Sequence, residues 1–161
     1  MLLNFHIILI MDFEQLKLSN QLCFPVYAVS RLITREYQPY LEKLGITYPQ
    51  YLVLMVLWET DGITVNEIAQ KLILNTNTVT PLLKRMESLD IISRKRSGKD
   101  ERKVIVQLTD KGNEMRVKAL TIPENMTNAL TTGEMTTDEL IELRIKLNKM
   151  IDLLIAKNTL E

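Results

Sequence analysis

The stretch from Val65 to Leu89 constrains this chain more than any other. Val65, Ile68, Ala69 and Leu72 recur at helical spacing. After Ile73-Leu74 comes Asn75-Thr76-Asn77-Thr78-Val79-Thr80-Pro81, and then Leu82, Leu83, Met86 and Leu89, again at helical spacing. Two helices joined by a few residues, the second opening on hydroxyls and amides, predict a helix-turn-helix. Directly behind it, Ile91 to Arg96 and Lys103 to Leu108 read as strands. The second alternates Val104, Val106 and Leu108 inward against Ile105 and Gln107 outward. Ser97-Gly98-Lys99-Asp100-Glu101-Arg102 joins them as the tip of a β-hairpin. The expected fold class is mainly α with a small β-hairpin wing, the winged helix-turn-helix occupying residues 48–108.

The flanks read as helices. From Asp12 to Leu44, Leu16, Leu18, Leu22, Tyr27, Leu32, Ile33, Tyr37, Leu41 and Leu44 recur at spacings of three to five, a long amphipathic helix ended by Gly45. Pro25 and Pro39 inside it predict a kink or a division. Thr47-Tyr48-Pro49 opens a second helix, apolar nearly all round through Trp58 and hence buried. Asp61-Gly62 is a turn. Thr109 caps a further helix that Pro123 interrupts. Thr136-x-x-Glu139 is a capping box for a last helix carrying Leu140, Leu143, Leu147, Met150 and Leu154 on one stripe. Residues 12–161 thus form one domain, in which 12–44 and 109–161 are the expected dimerisation helices and the five stripe residues the dimerisation contacts. Residues 1–11 are an apolar extension, too short to span a bilayer and lacking the basic region of a secretory signal. The expected location is cytoplasmic, with no membrane partner.

Composition removes several functions. Five glycines without a Gly-rich run exclude a phosphate-cradling loop, and one histidine (His6) with one cysteine (Cys23) cannot assemble a zinc site or a catalytic triad. No metal, cofactor or catalytic residue is expected.

The formal net charge is zero, yet Arg94 to Lys103 carries six basic residues against two acidic ones. A cationic hairpin beside a helix-turn-helix suits duplex DNA, because neutralising phosphates supplies most non-specific affinity. Arg94, Arg96, Lys99, Asp100, Arg102 and Lys103 are its candidate residues. On the second helix, Asn75, Thr76, Asn77, Thr78 and Thr80 offer hydrogen bonds to base edges or phosphates, and Lys84 and Arg85 suit phosphates. Capping and a solvated surface draw on the same residue types.

Leu82-Leu83-Lys84-Arg85-Met86-Glu87, the wing Asp100-Glu101-Arg102-Lys103-Val104 and Leu108-Thr109-Asp110-Lys111-Gly112 resemble the MarR family of winged-helix regulators, from about Asp12 to the C-terminus. Gln21-Leu22-Cys23-Phe24, Tyr27, Arg31, Tyr37 and Ile46-Thr47-Tyr48-Pro49-Gln50-Tyr51 resemble, within it, the organic-hydroperoxide-resistance (OhrR) branch and related single-cysteine redox-sensing regulators. The resemblance implies a homodimer on an inverted-repeat operator, a recognition helix in the major groove and the wing in flanking minor grooves. It implies that Arg102 is the wing arginine, oriented by Asp100, and that Cys23 is the sensor, its sulfur bonded by Tyr37 and Tyr48 of the partner subunit. An organic hydroperoxide and a small thiol are then the effectors, and the protein is a regulator, a repressor, rather than an enzyme.

The chemistry is consistent with that implication. Phenolic donors stabilise a thiolate, a thiolate attacks a peroxide O–O bond to give a sulfenic acid, and no second cysteine is present to resolve it within the chain. Two other readings use the same residues. A lone cysteine on an apolar helix is otherwise a small buried hydrophobe, with release caused by a small phenolic or apolar ligand; or the chain is a thiol peroxidase, against which the basic wing argues. Tyr27 is expected in the core and Tyr40 at the surface. Pro25 departs from the aliphatic residue this branch carries in an unbroken helix, and predicts a kink beside Cys23.

Overall fold

The computed structural model describes residues 13–98, 100–131, 133 and 135–158; the apolar extension and Lys99 lie outside these. Two 3-10 turns, Glu14–Leu16 and Leu18–Asn20, precede α1 (Cys23–Leu44), followed by α2 (Tyr48–Glu59), β1 (Ile63–Thr64), α3 (Val65–Lys71), α4 (Thr76–Ser88), β2 (Ile92–Arg96), β3 (Val104–Leu108), α5 (Asp110–Ala119), α6 (Ile122–Thr131) and α7 (Thr137–Asn158). The helix expected from Asp12 therefore begins only at Cys23. Pro25 is its third residue, where a backbone N–H has no intrahelical acceptor, so the missing donor costs nothing and the expected kink beside Cys23 has no cause. Pro39 is the proline that lies inside α1. Gly45 ends the helix at φ 69°, its N–H bonded to Glu42.

Local sequence sets the other boundaries. The Gln50 carboxamide accepts from the Thr47 N–H at 2.8 Å, and Thr64 and Glu67 form a reciprocal capping box at the start of α3. Glu139 accepts from the Thr136 N–H at 2.8 Å at the start of α7. Pro123 falls in the first turn of α6, so the break lies before it, between α5 and α6.

The sheet has three antiparallel strands in the order β1-β3-β2, one more than the expected hairpin. Ile63 pairs with Val106, and Arg96 pairs with Val104. The extra strand is two residues long, too short for alternation to reveal. Asp61 holds it in place, its carboxylate accepting from Gly62 and from Leu108 of β3 at 2.8 and 2.9 Å.

Helix α2 runs through the core, burying Tyr51, Val53, Leu54, Val56 and Leu57 against Ile68 and Ala69 of α3, Val79, Leu83 and Met86 of α4, and Val106 of β3. Tyr27 and Tyr40 reverse their expected places. Tyr27 is 58% exposed, while Tyr40 packs against the core.

The segment Leu108 to Gly112 holds the far end of α4. Thr109 Oγ1 donates to the Asp90 carbonyl at 2.7 Å and accepts from the Gly112 N–H, while the Lys111 amine donates to the Leu89 carbonyl at 2.7 Å. Gly112 is required there, since a Cβ would collide with the backbone carbonyl of Ile91. Backbone cannot yield as a flexible side chain can. Gly112→Ala is expected to lower stability by about 2–3 kcal/mol in urea unfolding, in the range of other overpacked sites.

Candidate functional site

Helix α4 buries Val79, Leu83 and Met86 and turns Asn75, Thr76, Asn77, Thr78, Lys84 and Arg85 to solvent. Asn75 is the N-cap by its backbone, its carbonyl accepting from Thr78 and Val79, with no side-chain capping bond. The Thr80 hydroxyl donates to the Thr76 carbonyl at 2.7 Å, which leaves its oxygen able to accept. An open groove of about 470 Å³ runs from the start of α4 to the base of the wing. It is lined by Thr76 and Thr80, by Arg94, Arg102 and Lys103, and by Thr64, Asn66 and Glu67 at the start of α3. The structure thus brings together residues from three elements that sequence reading had placed on two. The α3 contribution is not legible in the sequence, because Thr64, Asn66 and Glu67 face the wing only once the chain has folded.

In the wing, Arg96, Arg102 and Lys103 are exposed. Asp100 accepts from the backbone N–H of Arg102 at 3.1 Å, and its carbonyl accepts from Lys103 at 2.9 Å, which shapes the hairpin tip. Arg94 is committed elsewhere. Its Nη2 lies 2.7 Å from Glu87 Oε2 and its side chain is 18% exposed. No pattern in the sequence marked this pair, because it crosses the α4–β2 turn.

Cys23 is exposed at the first position of α1. Tyr37 stands fourteen residues further along the same helix, roughly 21 Å away at 1.5 Å per residue, so the two do not meet within one chain. Tyr37 and Tyr48 do meet, with ring centroids 5.0 Å apart. The cluster extends to Tyr51 at 5.8 Å from Tyr37, and then to Trp58 at 6.0 Å from Tyr51. The Trp58 indole N–H donates to the Gly112 carbonyl at 3.0 Å, joining the cluster to α5. Beside Tyr48, a cleft of about 350 Å³ is lined by Thr34, Gln38, Leu41, Ile46, Thr47 and Pro49 among others.

Burial pushes all three phenols up, Tyr37 to about 12, with the neighbouring phenols adding to the shift on Tyr37. They remain neutral O–H donors at any physiological pH. A phenol whose folded pKa exceeds its unfolded value stabilises the fold fully below the unfolded pKa and loses that contribution as pH rises through the folded one. Stability is therefore expected to fall between about pH 10 and 12. Tyrosinate absorbance should keep rising to about pH 12, late in step with the loss of folded signal.

Among the described residues no helix is long and apolar enough to cross a membrane. The family described as transcriptional regulator SarA/Rot matches residues 35–118. The organic hydroperoxide resistance transcriptional regulator of Bacillus subtilis is 44% identical over 146 residues, covering 91% of this chain and 97% of that protein. AbfR of Staphylococcus epidermidis, solved in reduced form bound to DNA, is 39% identical with a TM-score of 0.73, covering 90% of this chain and 99% of that one. Its overoxidised form, also solved bound to DNA, is 38% identical with a TM-score of 0.70, covering 89% and 99%. With its groove, wing and tyrosine cluster in the places described, this chain belongs to the MarR-like winged-helix transcriptional regulators of the SarA/Rot family.

Proposed function

We infer that the protein is a homodimeric repressor that binds an inverted-repeat operator and releases it when Cys23 is oxidised by an organic hydroperoxide. The observation that carries this reading is the convergence of Thr76, Thr80, Arg102 and Lys103 on one groove of a protein whose formal net charge is zero. Helix α4, through Asn75, Thr76, Asn77, Thr78 and Thr80, meets base edges in the major groove, with Lys84 and Arg85 on phosphates. The wing reaches the flanking minor groove through Arg102, beside Arg96 and Lys103. The similarity to AbfR, solved bound to DNA, supports the DNA-binding part of this reading.

A second copy of the chain is the partner that the apolar surface fits. On α7, Leu143, Leu147, Met150 and Leu154 are exposed and Leu140 is half-buried, and Val26, Val29 and Leu32 of α1 are exposed as well. An apolar face of this extent on a single chain marks an association surface. In such a dimer Cys23 meets Tyr37 and Tyr48 of the partner subunit, whose neutral phenols donate to its thiolate.

The thiolate attacks one peroxide oxygen, the O–O bond breaks and the alcohol leaves, giving a sulfenic acid. A small thiol then condenses with it, expelling water and leaving a mixed disulfide. Overoxidised AbfR has been solved on DNA, which favours the bulkier mixed disulfide over a sulfur oxide as the releasing species. A second reading draws on the cleft beside Tyr48, which has the size for a small phenolic or apolar effector that acts without Cys23. The site, on either reading, is cytoplasmic.

Two substitutions test these readings in fluorescence-anisotropy titrations against an inverted-repeat duplex selected from random DNA. Arg102→Ala is expected to weaken binding by about 1–3 kcal/mol with an unchanged melting temperature. Unchanged affinity removes the wing from the interface. Cys23→Ser is expected to bind as the wild type does and to stay bound after hydroperoxide plus thiol. Release of that variant by oxidant places the sensor elsewhere, and release by a phenolic compound alone favours the cleft.

A further inference from the structure

Arg94 stands where the recognition helix meets the wing. Its guanidinium donates to Glu87 Oε2 from Nη2 at 2.7 Å and from Nε at 3.1 Å, and its backbone N–H donates to Oε1 of the same carboxylate at 3.1 Å. One carboxylate thus holds the main chain and the side chain of a single residue. The hold spans the turn at Asp90, whose φ of 56° reverses the chain between α4 and β2. Charge-assisted pairing of this kind fixes orientation as well as adding energy. The hydrogen bonds from Arg94 keep the Glu87 carboxyl below its usual range, so the pair is ionised at neutral pH.

The position of the pair gives it a second effect. Arg94 lines the same groove as Thr76, Thr80, Arg102 and Lys103. Non-specific affinity grows with the number of phosphates a surface neutralises, whereas sequence is read by donors and acceptors held in one register against base edges. A guanidinium already neutralised by Glu87 adds nothing to the first. A wing tied to the end of α4 serves the second.

We propose that Glu87 is a positioning residue that sets the ratio of specific to non-specific DNA affinity, by withholding Arg94 from phosphates and by fixing the wing against the recognition helix. The proposal rests on the DNA-binding reading above. Removing the carboxylate frees one cation for any duplex and loosens the wing for the correct one, so the two affinities move in opposite directions.

The test compares wild type, Glu87→Ala, the isosteric Glu87→Gln and the double variant Glu87→Ala/Arg94→Ala. Each is titrated at several salt concentrations against the selected inverted-repeat duplex and a mixed-sequence duplex of equal length. For both single variants the specificity ratio is expected to fall about tenfold, with tighter binding to mixed sequence. The slope of log K against log salt on mixed sequence is expected to steepen by about one, the signature of one added phosphate contact. The double variant is expected to return that slope to the wild-type value while the ratio stays low. Parallel weakening on both duplexes with an unchanged slope would make the pair a structural staple only and overturn the proposal, as would no change in either affinity. Failure of the wild type to bind either duplex removes the DNA-binding reading itself, an outcome distinct from both.

Discussion

The contact between Gly112 and the Ile91 carbonyl fixes how far α5 can approach the end of α4, and the orientation of α4 depends on it. Lys111 satisfies the carbonyl of Leu89, a group that the helix end leaves without an intrahelical partner, and Thr109 satisfies that of Asp90 just beyond it. A lysine amine at that end is also favourably placed against the helix dipole. Five consecutive residues thereby cap one helix, start the next and exclude a side chain where two backbones touch. The Gly112 carbonyl then accepts the Trp58 indole, which ties the arrangement to α2 and the core. The exposed start of α4 is consequently free to carry polar groups with no part in folding.

Helix α2 performs the complementary task. It is apolar on nearly every side because it is covered by α1 on one side and by α3, α4 and α5 on others, so amphipathic patterning is absent and burial is complete at Val53 and Leu54. Its aromatic residues form the boundary between that core and the half-buried tyrosine cluster. Tyr51 touches both Tyr37 and Trp58, so a displacement of the Tyr37 ring bears on Tyr51 and through it on Trp58, which is bonded to α5. Close-packed interiors pass such displacements on, because there is little void to absorb them.

What the sequence disclosed follows the range of the interactions involved. The helix-turn-helix, the hairpin and the capping box at Thr136 depend on residues within a few positions of one another, and the structure has them. The chain start was misread because the spacing of Leu16, Leu18 and Leu22 continues the pattern of α1 without being part of it. Pro25 then looked internal, when it occupies a first turn that tolerates proline. Tyr27 and Tyr40 were exchanged because periodicity gives the stripe but not which side of it a single chain buries. The short β1 and the Glu87–Arg94 pair join residues whose partnership exists only once the chain has folded. The role proposed for Cys23 rests on family likeness alone, since its exposed place at the start of α1 does not mark it.

That last point bears on how a signal at Cys23 can reach DNA. The cysteine opens α1, Tyr37 lies about 21 Å further along it, and the groove is built on α3, α4 and β2 at the other side of the core. The groove itself is fixed by backbone contacts at Gly112, by the Asp61 links to β3 and by the Glu87–Arg94 pair, none of which involves α1. Within one chain, α1 reaches these contacts indirectly, through the rings of Tyr37, Tyr51 and Trp58 to the Gly112 carbonyl. In the proposed dimer a change at the cysteine has a direct means of moving two grooves relative to each other, since α1 carries both the cysteine and part of the apolar surface assigned to the second copy. An inverted repeat fixes the distance between half-sites at a whole number of helical turns, so a rigid shift that leaves each winged helix intact is sufficient to lose one of the two contacts. Under the proposed function, the stiffness of the winged helix is what would convert a local change in sulfur chemistry into release.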